Sequence, residues 1–103
     1  MELEQIKTML ESTGLPVVYL AWEEGSAPPL PWIAYRVLYS NNFTADGVVY
    51  QPIDRITVEL YSKLKDQESE DKVESALSSL FWQKSETYID DERCYQVAYE
   101  FEV

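Results

Sequence analysis

The residues of this sequence that could do chemistry are paired carboxylates, which stand at Glu23-Glu24, Glu70-Asp71 and Asp90-Asp91. General acid–base catalysis needs two carboxylates in one pocket with different pKa values. These pairs fall in loops and at a helix start, where hydration is the simpler explanation. The run from Asp90 to Glu92 also lacks the glycine-bearing loop of a typical calcium site. We therefore expect neither catalysis nor a metal site from these pairs.

Nucleophilic catalysis is disfavoured because the sequence contains no histidine. Ser-His-Asp and Cys-His pairs are excluded, as are histidine-rich zinc sites. Cys94 is the one cysteine, so we interpret it as a small residue at a strand start in a protein of a reducing compartment. None of the three glycines begins a phosphate-binding loop. We predict a protein that is not an enzyme and uses no cofactor.

The net charge of −11 comes from 19 carboxylates against 8 basic residues. Such a surface repels phosphate backbones and anionic membranes, so we expect neither sequence-specific nucleic-acid binding nor membrane binding. The charge has two interpretations: a solvated surface, or an acidic face that docks a basic partner or lines a passage for DNA. The candidate residues for such a lumen or docking face are Asp66, Glu68, Glu70, Asp71 and Glu74.

The spacing of apolar residues predicts the elements that position these side chains. The order is a helix ended by Gly14, strand 17–22, a proline loop at 23–31, strand 32–39, a hairpin arm over 40–50, strand 53–61, helix 66–81 and strands 83–89 and 94–103. In strand 32–39, alternation places Ile33, Tyr35, Val37 and Tyr39 on one side. We predict one α+β domain over residues 1–103, with an antiparallel sheet, two helices packed on one face and an extended hairpin arm.

Several side chains in the proline loop and the arm are candidates for self-association. They are Trp22, Trp32, Asn42, Phe43, Asp46, Val48 and Tyr50. Aromatic side chains in loops are typical anchors of subunit contacts. Simple packing of the loops against the domain is the alternative, and the sequence leaves both open.

Residues 46–63 read DGVVYQPIDRITVELYSK and are followed by Lys65-Asp66 and by EDKVE at 70–74. Together with SETYI at 85–89 and YQVAYEF at 95–101, they resemble the small tail-component proteins of long-tailed phages and prophages of Gram-positive bacteria. The resemblance covers most of residues 32–103.

The resemblance implies a tail terminator or tail-completion protein with an α+β fold. It implies a homo-oligomeric ring, commonly a hexamer, that caps the tail tube and joins it to the head. The expected partners are the tail tube protein and the head-connector protein, with DNA passing through the ring. The expected location is the virion, assembled in the host cytoplasm. A ring needs two different patches on each subunit, and a hairpin arm is one way to reach a neighbour.

A second hypothesis follows from the charge alone. An acidic protein can mimic DNA and inhibit a basic DNA-binding enzyme, acting as a monomer or dimer. Oligomer size distinguishes this function from a tail terminator, because mimicry needs no ring. The acidic N-terminus lacks a long apolar segment, so we expect neither a signal peptide nor a membrane span there.

Overall fold

The computed structural model describes residues 1–40, 43–45, 48–51 and 53–103, with the backbone alone at 43–45 and 48–51. The elements are α1 (Leu3–Glu11), β1 (Val17–Tyr19), β2 (Trp32–Ser40), β3 (Phe43–Ala45), β4 (Val48–Gln51), β5 (Asp54–Ser62), α2 (Gln67–Ala76), β6 (Gln83–Ile89) and β7 (Cys94–Glu102). Five strands form one sheet in the order β1-β2-β5-β7-β6, and β3 and β4 form a second sheet. This architecture confirms the predicted α+β class. Among the described helices, none is long and apolar enough to cross a bilayer.

The five-stranded sheet is mixed rather than wholly antiparallel. Strand β1 runs parallel to β2, with Val17 opposite Ile33, whereas the β2–β5, β5–β7 and β6–β7 pairs are antiparallel. A parallel pair requires a long connection that returns the chain to the same end of the sheet. The proline loop, which joins β1 to β2, provides that connection.

Helix α2 begins where the sequence predicts and ends earlier. Asp66 caps it, because its carboxylate accepts hydrogen bonds from the Ser69 backbone N–H at 3.0 Å and from the Ser69 hydroxyl at 2.8 Å. The helix ends at Ala76 rather than near Phe81. Serines at 78 and 79 are weak helix formers, and the chain needs residues 77–82 to turn into β6.

The core contains residues of both helices and alternate residues of the strands. These strand side chains define what we call the inner face of the sheet. The members of the core are Ile6 and Leu10 of α1, Val73 and Leu77 of α2, and Ile33, Tyr35, Ile56, Val58, Leu60, Val97, Tyr99 and Phe101 of the strands. The strand residues stand in cross-strand rows such as Tyr35, Val58 and Tyr99. Burial of these apolar side chains is the main favourable term in folding.

A β-bulge corrects the predicted side of Tyr39. The register of β2 against β5 shifts between Val37, which stands opposite Ile56, and Tyr39, which stands opposite Arg55. An extra residue in one strand moves the following side chains to the other face. Tyr39 therefore leaves the alternation of Ile33 and is 56% exposed.

The predicted hairpin is present between β2 and β5. Strands β3 and β4 pair antiparallel, with Ala45 opposite Val48. The insertion follows the end of the β2–β5 ladder, where the Ser40 hydroxyl donates a hydrogen bond of 3.0 Å to Asp54 Oδ1. The predicted Asp46-Gly47 turn lies outside the described residues.

Candidate functional site

The strand side chains opposite to the inner face form a second surface, which we call the outer face. Its central members are Trp32, Ala34 and Arg36 on β2, Thr57, Glu59 and Tyr61 on β5, and Gln96, Ala98 and Glu100 on β7. Trp32 stands opposite Tyr61, and Tyr61 stands opposite Gln96. One cross-strand row of the sheet therefore presents an indole, a phenol and an amide side by side.

An aromatic cluster occupies one end of the outer face. The Trp32 ring lies 4.6 Å from the Tyr61 ring, centroid to centroid, and 5.8 Å from the Trp22 ring. The two indoles meet edge to face at 84°, which is a favourable arrangement of aromatic quadrupoles. All three side chains are only partly buried. The cluster therefore presents apolar area to solvent, as the anchor of an interface does.

Polar groups fix the orientation of Tyr61 within this cluster. The Gln96 amide donates hydrogen bonds to the Tyr61 hydroxyl at 2.9 Å and to Glu59 Oε2 at 3.1 Å. The Tyr61 hydroxyl in turn donates to Glu59 Oε1 at 3.4 Å. Burial, with the nearby Glu59 charge, raises the pKa of Tyr61 above its usual value. The hydroxyl is therefore a neutral donor and acceptor at neutral pH.

Trp22 reaches the cluster from the loop between β1 and β2. Leu20 has a positive φ of 69°, and its N–H donates to the Tyr35 carbonyl at 2.8 Å, which turns the chain immediately after β1. Within the described residues, the Trp22 Nε1–H is buried without a hydrogen-bond acceptor. A buried donor without a partner costs about 1–3 kcal/mol. An acceptor supplied by a bound partner would remove that cost.

The other end of the outer face is charged. The Arg55 guanidinium lies 3.5 Å from a Glu100 oxygen and 3.9 Å from a Glu102 oxygen. The Glu100 and Glu102 side chains are 39% and 42% exposed, so water screens these pairs and each contributes little to stability. The outer face thus combines an aromatic end with an ionic end, which is the usual composition of a protein interface.

The proposed acidic face separates into structural and exposed residues. Glu70 is 1% exposed, and Lys65 Nζ lies 2.8 Å from its Oε2 while Lys84 Nζ lies 3.4 Å from its Oε1. Asp66 serves as the helix cap. Glu74 Oε2 accepts from Lys84 Nζ and from the Tyr99 hydroxyl, both at 2.9 Å. Glu70 and Glu74 therefore tie α2 to the sheet through Lys84 and Tyr99, Asp66 caps the helix, and all three carboxylates are engaged within the chain.

Opposite charges perturb the basic groups of this network. The hydrogen bond that Lys65 donates to Glu70, followed by the one it donates to Glu86, raises the pKa of Lys65, and the hydrogen bond that Lys84 donates to Glu74 raises the pKa of Lys84. The Lys65 hydrogen bond lowers the pKa of Glu86. Burial, together with the Glu74 hydrogen bond, raises the pKa of Tyr99. Each shift favours the ionised pair or the neutral phenol in the folded state.

The exposed members of the acidic set are Glu68 and Asp71, on the solvent side of α2. The Glu68 side chain is 84% exposed and lies 3.7 Å from Lys72 Nζ, and Asp71 accepts a hydrogen bond of 3.0 Å from the Gln67 amide. Both line a groove of about 590 Å³ between α2 and Thr13 at the end of α1. These two residues are the members of the set that can present charge to DNA or a partner.

Cys94 and the last acidic run show no arrangement for chemistry in the part of the chain that the structure describes. Cys94 is 4% exposed, and burial, with the Glu92 charge, raises the pKa of its thiol, which disfavours the reactive thiolate. No group of three metal-ligating side chains occurs among the described residues. Asp90 and Asp91 lie in the exposed turn between β6 and β7.

The structure brings Trp22 and Trp32 together, out of the seven candidates for self-association. Asn42 and Asp46 lie outside the described residues. Phe43, Val48 and Tyr50 lie in the hairpin strands, of which the structure describes the backbone alone. Tyr61 and Gln96 complete the cluster and were not among the sequence-based candidates, although strand alternation places Tyr61 on the side of Glu59.

No protein-family model matches the chain, and a search of curated protein sequences finds no match.

Proposed function

We propose that this chain is a structural protein of a phage or prophage virion, of the tail-terminator or tail-completion type. It acts by shape and self-association, forming a ring that caps the tail tube and joins it to the head. The observation that supports this function best is the partly exposed aromatic cluster of Trp22, Trp32 and Tyr61 on the outer face.

Two separate surfaces support a ring rather than a closed pair. A heterologous contact joins two different patches on neighbouring copies. The outer face supplies one apolar patch, and the β3–β4 hairpin is a separate two-stranded sheet inserted at the end of the β2–β5 ladder. In the proposed ring, the hairpin of one copy contacts the aromatic cluster of the next. An acceptor on the hairpin backbone would satisfy the Trp22 Nε1–H.

The proposed partners are the tail tube protein and the head-connector protein, and DNA passes through the ring. In this arrangement Glu68 and Asp71 contribute negative charge to the passage, repeated by the symmetry of the ring. Repulsion between carboxylates and phosphates lets DNA move without binding. The proposal includes no catalytic step and no cofactor.

The test is the size and shape of the purified protein at high concentration. We expect light scattering to show a closed oligomer and electron microscopy to show rings. Trp32→Ala should raise the protein concentration needed for assembly at least tenfold, because aromatic anchors contribute about 2 kcal/mol or more. Leu64→Ala is the control, since Leu64 is 71% exposed and lies outside the outer face.

A protein that remains monomeric at millimolar concentration would contradict the ring. The net charge of −11 would then favour the acidic DNA mimic, which binds a basic enzyme groove without a ring. Retention of the monomer on an immobilised basic DNA-binding enzyme, and its release by DNA, would support that second function.

A further inference from the structure

Strand β6 leaves one long edge of the five-stranded sheet open. It pairs with β7 on one side, and within the described strands no other strand pairs with it. Six of its seven residues are exposed. An edge of this length presents a row of unpaired N–H and C=O groups, which template pairing with another strand. The opposite edge, β1, has only three residues, and such a short edge offers little to pair with.

We propose that β6 pairs antiparallel with β6 of a second copy, with Ser85 of one copy opposite Ser85 of the other. The two five-stranded sheets then join into one continuous sheet. The contact is isologous, because the same strand contributes both sides. It is therefore separate from the heterologous contacts of the proposed ring and does not depend on the proposed function.

Charge favours this register over the two adjacent ones. On an edge strand, the backbone N–H and C=O groups of alternate residues point toward the open side. When two copies pair about a two-fold axis through one residue, odd-numbered residues therefore stand opposite odd-numbered ones, and even-numbered residues opposite even-numbered ones. Centring on Ser85 places Lys84 opposite Glu86 of the second copy, twice. Shifting the centre to Lys84 opposes two lysines, and shifting it to Glu86 opposes two glutamates. Opposite charges directly across an antiparallel pair stabilise it, and like charges destabilise it.

Exposed apolar residues near the two ends of β6 meet in the same register. Phe81 is 100% exposed and Tyr88 is 47% exposed. With Ser85 at the centre, Phe81 stands opposite Ile89 of the second copy, and Trp82 stands opposite Tyr88. Aromatic and β-branched pairs of this kind stabilise the pairing of two strands. The contact therefore covers apolar surface that the single copy leaves in water.

Charged residues on an edge strand can also serve as protection against pairing. In β6 this protection is reduced, because ion pairs within the copy partly offset both charges. Lys84 Nζ lies 2.9 Å from Glu74 Oε2, and Glu86 pairs with Lys65. The acidic residues after the strand, Asp90 and Asp91, would stand opposite Leu80 and Ser79 of the second copy. No carboxylate therefore faces another across the contact.

Cysteine crosslinking tests the pairing and its register together. Residues directly opposite in an antiparallel pair have Cα atoms about 4.5 or 5.5 Å apart, within the range of a disulfide. We expect Ser85→Cys to form a covalent dimer on mild oxidation. Thr87→Cys is the matched control, because its register partner is residue 83 of the second copy. An equimolar mixture of Gln83→Cys and Thr87→Cys should crosslink to each other. All variants keep the buried Cys94.

Phe81→Ala provides a second measurement with the native strand intact. Sedimentation in about 0.15 M salt, where the screening length is about 8 Å, should show dimers of the unmodified chain. Phe81→Ala should weaken them about tenfold, equivalent to about 1.4 kcal/mol, because the dimer loses two contacts. Leu64→Ala should leave the dimer unchanged.

Equal crosslinking of Ser85→Cys and Thr87→Cys, or no crosslinking of Ser85→Cys at millimolar concentration, would overturn the proposal. An unchanged dimer in Phe81→Ala would also overturn it. A ring that assembles from Ser85→Cys without any crosslink would leave the proposed function standing while removing the edge contact.

Discussion

The inner and outer faces of the sheet use the same kinds of side chain differently. On the inner face, Tyr99 and Phe101 are completely buried in the core that also contains residues of both helices. On the outer face, Trp32 and Tyr61 contact each other and remain partly exposed. Close packing of a buried side chain stabilises the single chain, whereas a partly exposed aromatic cluster retains apolar area that a partner can cover. The comparison separates residues that hold the fold from residues available for assembly.

The largest effect on stability is expected from substituting one aromatic residue on each face. Phe101→Ala should destabilise the chain by about 3–5 kcal/mol, because it leaves a cavity in the core. Trp32→Ala should cost about half as much in the monomer, because part of its surface is already in water. Urea denaturation measured below the assembly concentration gives both values. Equal losses of unfolding free energy in the two variants would show that the outer face stabilises the single chain as much as the inner face does.

The buried carboxylate provides the next test. Glu70→Ala should cost about 2–3 kcal/mol, since it removes the shared partner of Lys65 and Lys84. The cost is at the low end for a buried pair because the lysine side chains are 44% and 31% exposed. The control is Glu68→Ala on the same helix, which should change stability by less than about 0.5 kcal/mol. A similar loss in both variants would argue against a special role for Glu70.

The sequence predicted the fold more fully than the site. Strand alternation and the Asp66 cap identified the main strands and the start of α2, because these signals are local. The parallel β1–β2 pair depends on how the proline loop returns the chain, and the bulge before Tyr39 depends on the β2–β5 register. Neither is encoded in a short segment, so neither could be predicted from one.

The acidic set shows the same limit at the site. Glu70 precedes Val73 and Leu77 by three and seven residues, so helical periodicity alone places it on the buried stripe. The basic partners that make this burial tolerable are Lys65 in the preceding loop and Lys84 on β6. They come together only in the fold. Periodicity therefore separates Glu70 from the exposed Glu68 and Asp71, but it does not identify the lysines that pair with Glu70.

The pH dependence of stability is a third test, confined to the inner side of the sheet. The pKa of Glu86 is lowered in the folded state, so its contribution is present above its unfolded pKa of about 4.5 and is lost as the pH falls through the folded value. The pKa values of Lys65, Lys84 and Tyr99 are raised, so their contributions are present below about pH 10 and are lost as the pH rises further.

Stability should therefore show a plateau between about pH 5 and pH 9 and fall on both sides, with the raised pKa of the Cys94 thiol contributing to the start of the alkaline decline. Tyr99→Phe should lower the plateau by about 1 kcal/mol, the value of one hydrogen bond, and make the alkaline decline shallower. Tyr88→Phe is the control, because Tyr88 is 47% exposed. Thermal melts across this range measure both effects, and an unchanged alkaline decline in Tyr99→Phe would contradict the role of the Tyr99–Glu74 hydrogen bond.

The smallest effect on the fold is expected from reversing the exposed acidic residues, which tests the DNA passage of the proposed ring. Glu68→Lys with Asp71→Lys should shift stability by less than about 1 kcal/mol, because both side chains face solvent and surface pairs contribute little. In an assembled virion the same change repeats around the ring and replaces a repulsive band by one that attracts phosphates. Only charges within about 8 Å of the DNA act at physiological salt. If α2 lines the passage, ejection of DNA should slow; if the variants eject DNA at the normal rate, the charges on α2 serve solubility and the passage is lined by another surface.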